Sequence, residues 1–338
     1  MITYPVIKKG AAIGVTAASA GVGPQSAELF GQACTRMEEK GYRVLCGDTV
    51  FRHDKAKSAP GLVRGKEFNQ MMTSDEVDLI IPPWGGELLI EMLEHIDFSQ
   101  VKSKWIMGFS DISLLLLVIT LRTGIATAHG PSLGDLRAEA ADETTAMWET
   151  VLSTASGESV TQRSSLHYHQ ELEGAEPSPS LFHLHTPTDW KTVSGNAATL
   201  NGRLLGGCID VIRHIIGTPY GDVRHFQENF IHREPVLWYL ENCELNTADL
   251  RRSLVQMKLA GWFENCSGVM FGRSGSNTPM ENYTAEDVYR ELSEELQVPV
   301  VYDLDFGHVP PQMTLINGAY AEVHVAGGAG TITQYFNE

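Results

Sequence analysis

Gly108, Phe109, Ser110 and Asp111 lie between a strand-like segment and an apolar, helix-like one. That is the setting a nucleophile elbow requires. Gly108 lets the backbone turn sharply and leaves room around the hydroxyl. Ser110 is lifted to the strand end. The amide of Asp111 then opens a helix, where unpaired N–H groups and positive potential favour an oxyanion. The second glycine of G-x-S-x-G is missing, so the same residues also fit a serine N-cap followed by first-turn negative charge. Gly85 and Gly86 close another strand-like run and suit a second oxyanion donor, because a glycine pair lets amides approach a ligand closely. They also fit a plain tight turn.

A serine hydroxyl needs a base. Among 12 histidines, His308 stands apart in DLDFGHVPP: it follows a strand-like run and a glycine and precedes two prolines. That places it in a rigid, exposed turn, where a histidine is also an ordinary surface residue. Glu241 ends the apolar run VLWYLE. A carboxylate at the tip of a buried strand is positioned and partly desolvated, as an acid that orients a histidine must be. It also fits a carboxylate capping the next turn. The order Ser…Glu…His is one of several that converge on one geometry.

The elements that must hold these residues read as strands alternating with helices over the first 150 or so. Ala11–Ala18, Tyr42–Cys46, Val77–Ile81 and Trp105–Gly108 are strand-like. Residues 26–40, 65–72 and 87–95 are helical in spacing, and the stretch after Ser110 is apolar nearly all round, as a buried helix is. Such alternation predicts an α/β fold with a parallel sheet, whose ligands sit at the carboxyl ends of the strands. The small-residue turns at Ser19–Gly23, Gly85–Gly86 and Gly108–Ser110 all fall there. Residues 156–189 hold Ser, Pro, His and Glu with little periodicity, and read as a linker or long loop. Residues 190–338 contain short strands and two helical segments, a mixed α+β domain. The division is therefore 1–155 with Ser110, 156–189 as linker, and 190–338 with Glu241 and His308.

A chain of 338 residues suits two domains. With 25 basic and 42 acidic residues the formal charge is −17, which repels phosphate backbones and argues against nucleic acid. Five cysteines with no C-x-x-C spacing fit reduced thiols in a cytosol. The first residues lack a signal-peptide pattern, and no apolar run is long enough to span a bilayer. The expectation is a cytoplasmic protein that binds no membrane. HYH at 167–169 and HLH at 183–185 place side chains on one face if extended. No cysteine or acidic signature accompanies them, and no metal site is assigned.

Taken in order, these segments resemble the LD-carboxypeptidase family, which includes the microcin C immunity peptidases. KKGAAIGVTAASAG is similar to the family's opening strand, GFSDIS to its G-[YF]-S-D turn, and AHGP to its HGP. GRLLGGCIDVIRHIIGTPY, YLENCE, LAGWFENCSGVMFGR and DLDFGHVPPQMTLINGA are similar to its later segments. The resemblance implies an N-terminal parallel α/β sheet domain like the class I amidotransferases and a C-terminal mixed α+β swivelling domain. It implies a serine peptidase with Ser110, Glu241 and His308 as triad and Asp111, Gly85 and Gly86 at the oxyanion. It implies no cofactor and a homodimer. The implied substrates are a murein tetrapeptide or an acidic aminoacyl nucleotide of the microcin C kind. Three departures bear on the substrate: Trp84 stands where many members have arginine, Cys208 replaces an asparagine, and Ile316-Asn317-Gly318 replaces Pro-Ile-Gly. By the resemblance Trp84 and Cys208 line or support the pocket, and Trp190 stacks on a base or ring. A domain or dimer contact would also explain Trp190. Arg203 is a candidate for a substrate carboxylate, as are Arg251 and Arg252, which also read as a solvated helix face. An esterase on the same triad and a non-catalytic binder of the same fold are the rival readings.

Overall fold

The computed structural model describes residues 1–139, 141–169 and 182–337. Its N-terminal layer is a parallel sheet of β1 (Ala12–Val15), β2 (Arg43–Cys46), β3 (Leu79–Ile80), β4 (Trp105–Gly108) and β5 (Thr127–His129). Helices α1 (Ala27–Glu39), α2 (Gly61–Thr73) and α3 (Ile112–Thr123) belong to the same layer. α3 carries Leu, Ile and Val at nearly every position and is buried from Ile112 to Leu121. Each such side chain taken from water contributes about 1.5–3 kcal/mol. The helix that begins just after Ser110 is thereby fixed on all sides.

Eleven further strands lie among the described residues of the second half. They are β6 (Ser159–Arg163), β7 (His167–His169), β8 (Leu184–Pro187), β9 (Lys191–Thr192), β10 (Ala198–Cys208) and β11 (Val236–Glu241), then β12 (Cys266–Gly272), β13 (Val300–Leu304) and β14 (Leu315–Asn317), followed by β15 (Tyr320–Ala326) and β16 (Ala329–Tyr335). Eight strands form one sheet in the order β6-β16-β15-β10-β11-β12-β13-β9, with β10 to β13 parallel. Every residue of β11 is buried, so Glu241 ends a strand with no access to solvent.

The stretch 156–189 is not a plain linker. Its described part contains β6, at the edge of the large sheet, and the β7–β8 hairpin; residues 170–181 lie outside the described residues. Short polar strands with an edge partner carry little alternation, which hid them. β14 leaves the second half and adds to the first sheet, antiparallel to β5. Asn317, at its end, accepts hydrogen bonds from the Gly206 amide (3.0 Å) and Tyr239 hydroxyl (2.9 Å) and reaches Thr127 Oγ1 at 3.3 Å. One buried amide side chain thus ties the two sheets together close to the strand ends that carry the site. No helix among the described residues is long and apolar enough to cross a membrane.

Candidate active site

The three small-residue turns meet. Ser110 adopts the left-handed backbone conformation, with φ of 59°, at the abrupt turn from β4 into α3. A non-glycine residue there is strained by about 1–2 kcal/mol, and packing of α3 holds it. Asp111 is 2% exposed and anchors the turn. Its Oδ2 accepts from Ser19 Oγ at 2.5 Å and from the Leu89 amide at 2.8 Å. Burial pushes the Asp111 acid up to about 6 despite these donors. Gly85 lies against the serine: a Cβ there would sit 2.7 Å from Ser110 Cβ and 2.8 Å from its Oγ. At Gly86 a Cβ would meet Ser19 Oγ at 2.4 Å. Among the described residues, the amides of Gly85, Gly86 and Asp111 donate to no acceptor.

The second half supplies the other partners. His308 Nδ1 is 2.7 Å from Glu241 Oε2, and Cys243 is a second hydrogen-bonding side chain beside the ring. Gly307 permits this approach: its φ is 96°, and a Cβ there would meet Glu241 Cβ at 2.7 Å. Burial by itself would raise the Glu241 acid; His308, and after it His129, outweigh that and hold the carboxylate well below its usual range. For His308, burial opposes the charge. The Glu241 carboxylate and neighbouring Cys243 win, raising its proton affinity above that of an ordinary histidine. Phe109, next to the serine, packs edge-on to the His308 ring at 5.0 Å between centroids.

His129 is a residue whose part in this site spacing did not disclose. It ends β5, opposite Gly108 of β4, and is fully buried. Its Nε2 is 3.8 Å from Glu241 Oε1. That oxygen and both His129 ring nitrogens have no hydrogen-bond partner among the described residues. The carboxylate therefore lies between two imidazoles, one bonded and one waiting.

Ser110 and His308 line one cavity of about 390 Å³, together with Trp84, Gly85, Gly86 and Arg137. Trp84 is fixed there by its Nε1 donating to Gly21 O at 3.3 Å. A larger cavity of about 670 Å³ opens on the other flank of His308, with Cys243, Arg273, Tyr168 and Lys191 in its walls. The larger one lacks the serine, which lines the smaller. Ser110 Oγ makes no hydrogen bond among the described residues.

Three expected substrate contacts are corrected. Trp190 does not present its ring to a ligand. It is 2% exposed, packed in the second core, and its Nε1 donates to Asp305 Oδ2 at 3.0 Å. Cys208 lines neither cavity but supports the site from behind, its Sγ within 4.8 Å of Glu241 and His308; it is buried with Sγ 3.3 Å from Asp210 Oδ2, and burial, Glu241 and Asp210 hold it as a thiol. Ligand atoms of Cys208, Glu241 and His308 lie within 4.8 Å of one another, but a cation there would have to displace the His308–Glu241 hydrogen bond. Arg203 is also withdrawn from any substrate: it is buried, pairs with Glu234 and donates to Tyr4 Oη at 2.9 Å. Arg251 pairs with Glu291 at 3.2 Å and Arg252 with Asp249 at 2.6 Å, as on a solvated helix face.

Known proteins share this arrangement of chain. Residues 13–130 match the LD-carboxypeptidase N-terminal domain and residues 201–323 the LD-carboxypeptidase C-terminal domain. A Bacillus subtilis protein named "Probable murein peptide carboxypeptidase" is 24% identical over 95% of this chain and 91% of its own. The microcin C7 self-immunity protein MccF of Escherichia coli is 22% identical over 90% of this chain and 88% of its own. The solved structure of MccF in complex with glutamyl sulfamoyl guanosine superposes with a TM-score of 0.82 over 100% of both chains, at 19% identity. Matched in both of its domains, the chain belongs to the LD-carboxypeptidase family of serine-type carboxypeptidases.

Proposed function

We propose that Ser110, His308 and Glu241 form a catalytic triad that hydrolyses an amide. The observation that carries this is the pairing of a serine in a left-handed elbow with a histidine in the same cavity, whose Nδ1 is tied at 2.7 Å to a fully buried carboxylate. Ser110 Oγ attacks the carbonyl carbon as His308 Nε2 takes the hydroxyl proton. The oxyanion is held by the amide of Asp111 and that of Gly85 or Gly86; losing one such donor costs about 10²–10³ in rate. The tetrahedral adduct collapses, the C–N bond breaks, and Nε2 delivers its proton to the leaving amine. Water then attacks the acyl-serine, with His308 again as base, and releases the acid and free Ser110. Glu241 holds the imidazole in the tautomer with Nε2 free and stabilises the transient imidazolium.

The substrate is the terminal amide of a murein tetrapeptide or the amide of an acidic aminoacyl nucleotide. Support for this range comes from a relative named for murein peptide and from MccF, solved with glutamyl sulfamoyl guanosine. Cavities on two flanks of His308 suit a substrate with a group on each side of the scissile bond. The working form in this proposal is a cytoplasmic homodimer, which sedimentation would test.

Mass spectrometry of products decides the reaction. The intact protein and Ser110→Ala are each incubated with murein tetrapeptide and with aspartyl- or glutamyl-sulfamoyl adenosine. Cleavage of one substrate by the intact protein alone assigns the branch. Equal cleavage by Ser110→Ala rules out the serine mechanism.

A further inference from the structure

The cavity that holds Ser110 contains a cation with unspent capacity. Arg137 follows the turn Leu133–Leu136, which opens with Ser132 N donating to Asp135 Oδ2 at 2.9 Å. The turn is bolted to the segment before the glycine pair: Leu133 N donates to Pro82 O at 3.1 Å and Gly134 N to Pro83 O at 3.0 Å. A Cβ at Gly134 would lie 3.3 Å from the Trp84 ring, so the turn packs directly on that indole. Arg137 is therefore held in fixed relation to Trp84, Gly85 and the serine.

Its guanidinium donates once, from Nη1 to Gly134 O at 2.6 Å, and forms no ion pair among the described residues. The cations of the larger cavity differ: Lys191 is bound to Asp303 at 2.8 Å and Arg273 to Asp305 at 2.7 Å. The nearest acid in its own cavity is Asp135, whose Oδ2 already accepts from the Ser132 amide at 2.9 Å. In a chain of net charge −17, an arginine left without a carboxylate beside a nucleophile is a site of positive potential focused in a cleft. Its planar fork of donors suits a carboxylate, which it binds in two parallel hydrogen bonds.

We infer that Arg137 binds a carboxylate of the substrate on the Ser110 side of the scissile amide, with the Trp84 indole as the wall beside it. The inference rests on Ser110 as nucleophile. It assigns the recognition of that carboxylate, a chain terminus or an acidic side chain in the substrates proposed above, to one named residue. Trp84 offers a flat, apolar face; Arg137 supplies the charge from the neighbouring turn. Loss of a charged hydrogen-bonding partner of this kind lowers affinity by about 10–10².

The test is protection of Ser110 from a fluorophosphonate by small competitors: N-acetyl-alanine and N-acetyl-glutamate of both configurations, against their carboxamides. In the intact protein at least one free acid slows labelling at a concentration tenfold or more below its carboxamide. Arg137→Gln removes that preference and Arg137→Lys keeps part of it, while both variants are still labelled without competitor. Equal protection by every acid and its amide, or a preference that survives Arg137→Gln, overturns the assignment of Arg137. Failure of the intact protein to be labelled overturns the nucleophile itself, and the inference with it.

Discussion

His308 Nδ1 and Glu241 Oε2 stand 2.7 Å apart although 67 residues separate them in the chain, and the carboxylate is fully buried. The pairing raises the proton affinity of the histidine. A base must be neutral to act, so kcat/KM rises with pH through a limb above the ordinary histidine value of about 6.5. Glu241→Gln removes the charge, moves the limb down and lowers kcat by about 10³–10⁴. The pH profile of both proteins checks this; a limb that stays in place on Glu241→Gln contradicts it.

Ser110 holds a left-handed backbone at φ 59°. Glycine relieves strain of about 1–2 kcal/mol but adds about 0.5–1 kcal/mol of unfolded-state entropy. Ser110→Gly is therefore expected to gain up to about 1 kcal/mol in denaturant unfolding while losing activity. Ser110→Ala keeps the strain and gains nothing. A glycine form less stable than the alanine form would show that the elbow is unstrained.

Gly85 has φ outside the left-handed range, so alanine is allowed there by the backbone; the obstacle is Ser110, whose Cβ and Oγ would lie 2.7 and 2.8 Å from the new methyl. Gly85→Ala should unfold within about 1 kcal/mol of the parent and lose about 10²-fold or more in kcat/KM, the scale of a displaced oxyanion donor. Full activity in a folded Gly85→Ala protein would remove this turn from the site.

His129 lies 3.8 Å from the unpartnered Oε1 of Glu241. A donor there steadies the carboxylate that orients His308. His129→Phe is expected to lower kcat by about tenfold or more, with KM nearly constant, and to shift the pH limb; His129→Gln, which can still donate, recovers part of both. Loss of stability with an unchanged kcat and pH profile would mean that His129 only fills space. A net hydrogen bond to a charged group is worth about 1.5–3 kcal/mol, which sets the scale.

Much of this site was legible because each residue type marked its own place. Ser110 followed a four-residue apolar strand and preceded a wholly apolar helix, and both elements are present as β4 and α3. Glu241 ended an apolar run that is β11, buried throughout. His308 stood out through Gly307, whose left-handed φ the close contact with Glu241 requires. What was hidden depends on pairing across the chain. β10 is an eleven-residue strand, yet its glycines and polar residues break the alternation, and its end reads as the start of a helix. β14 joins the first sheet from the far end of the sequence, which no local pattern encodes. Trp190 was read as a ring for stacking or for a contact, but Asp305, 115 residues away, draws its indole N–H inward. Arg137 sits in ordinary local surroundings; AHGP marked His129 as part of a family segment, but only the fold places it beside Glu241.

The most direct measurement is the site and rate of covalent labelling. The intact protein is treated with a fluorophosphonate, digested, and its peptides sequenced by mass spectrometry, beside Ser110→Ala and His308→Ala. The expected result is one adduct, on Ser110, absent in Ser110→Ala and formed at least about 10²-fold more slowly in His308→Ala, as loss of a general base entails. An adduct on another residue, or equal labelling of Ser110 without His308, would contradict the triad.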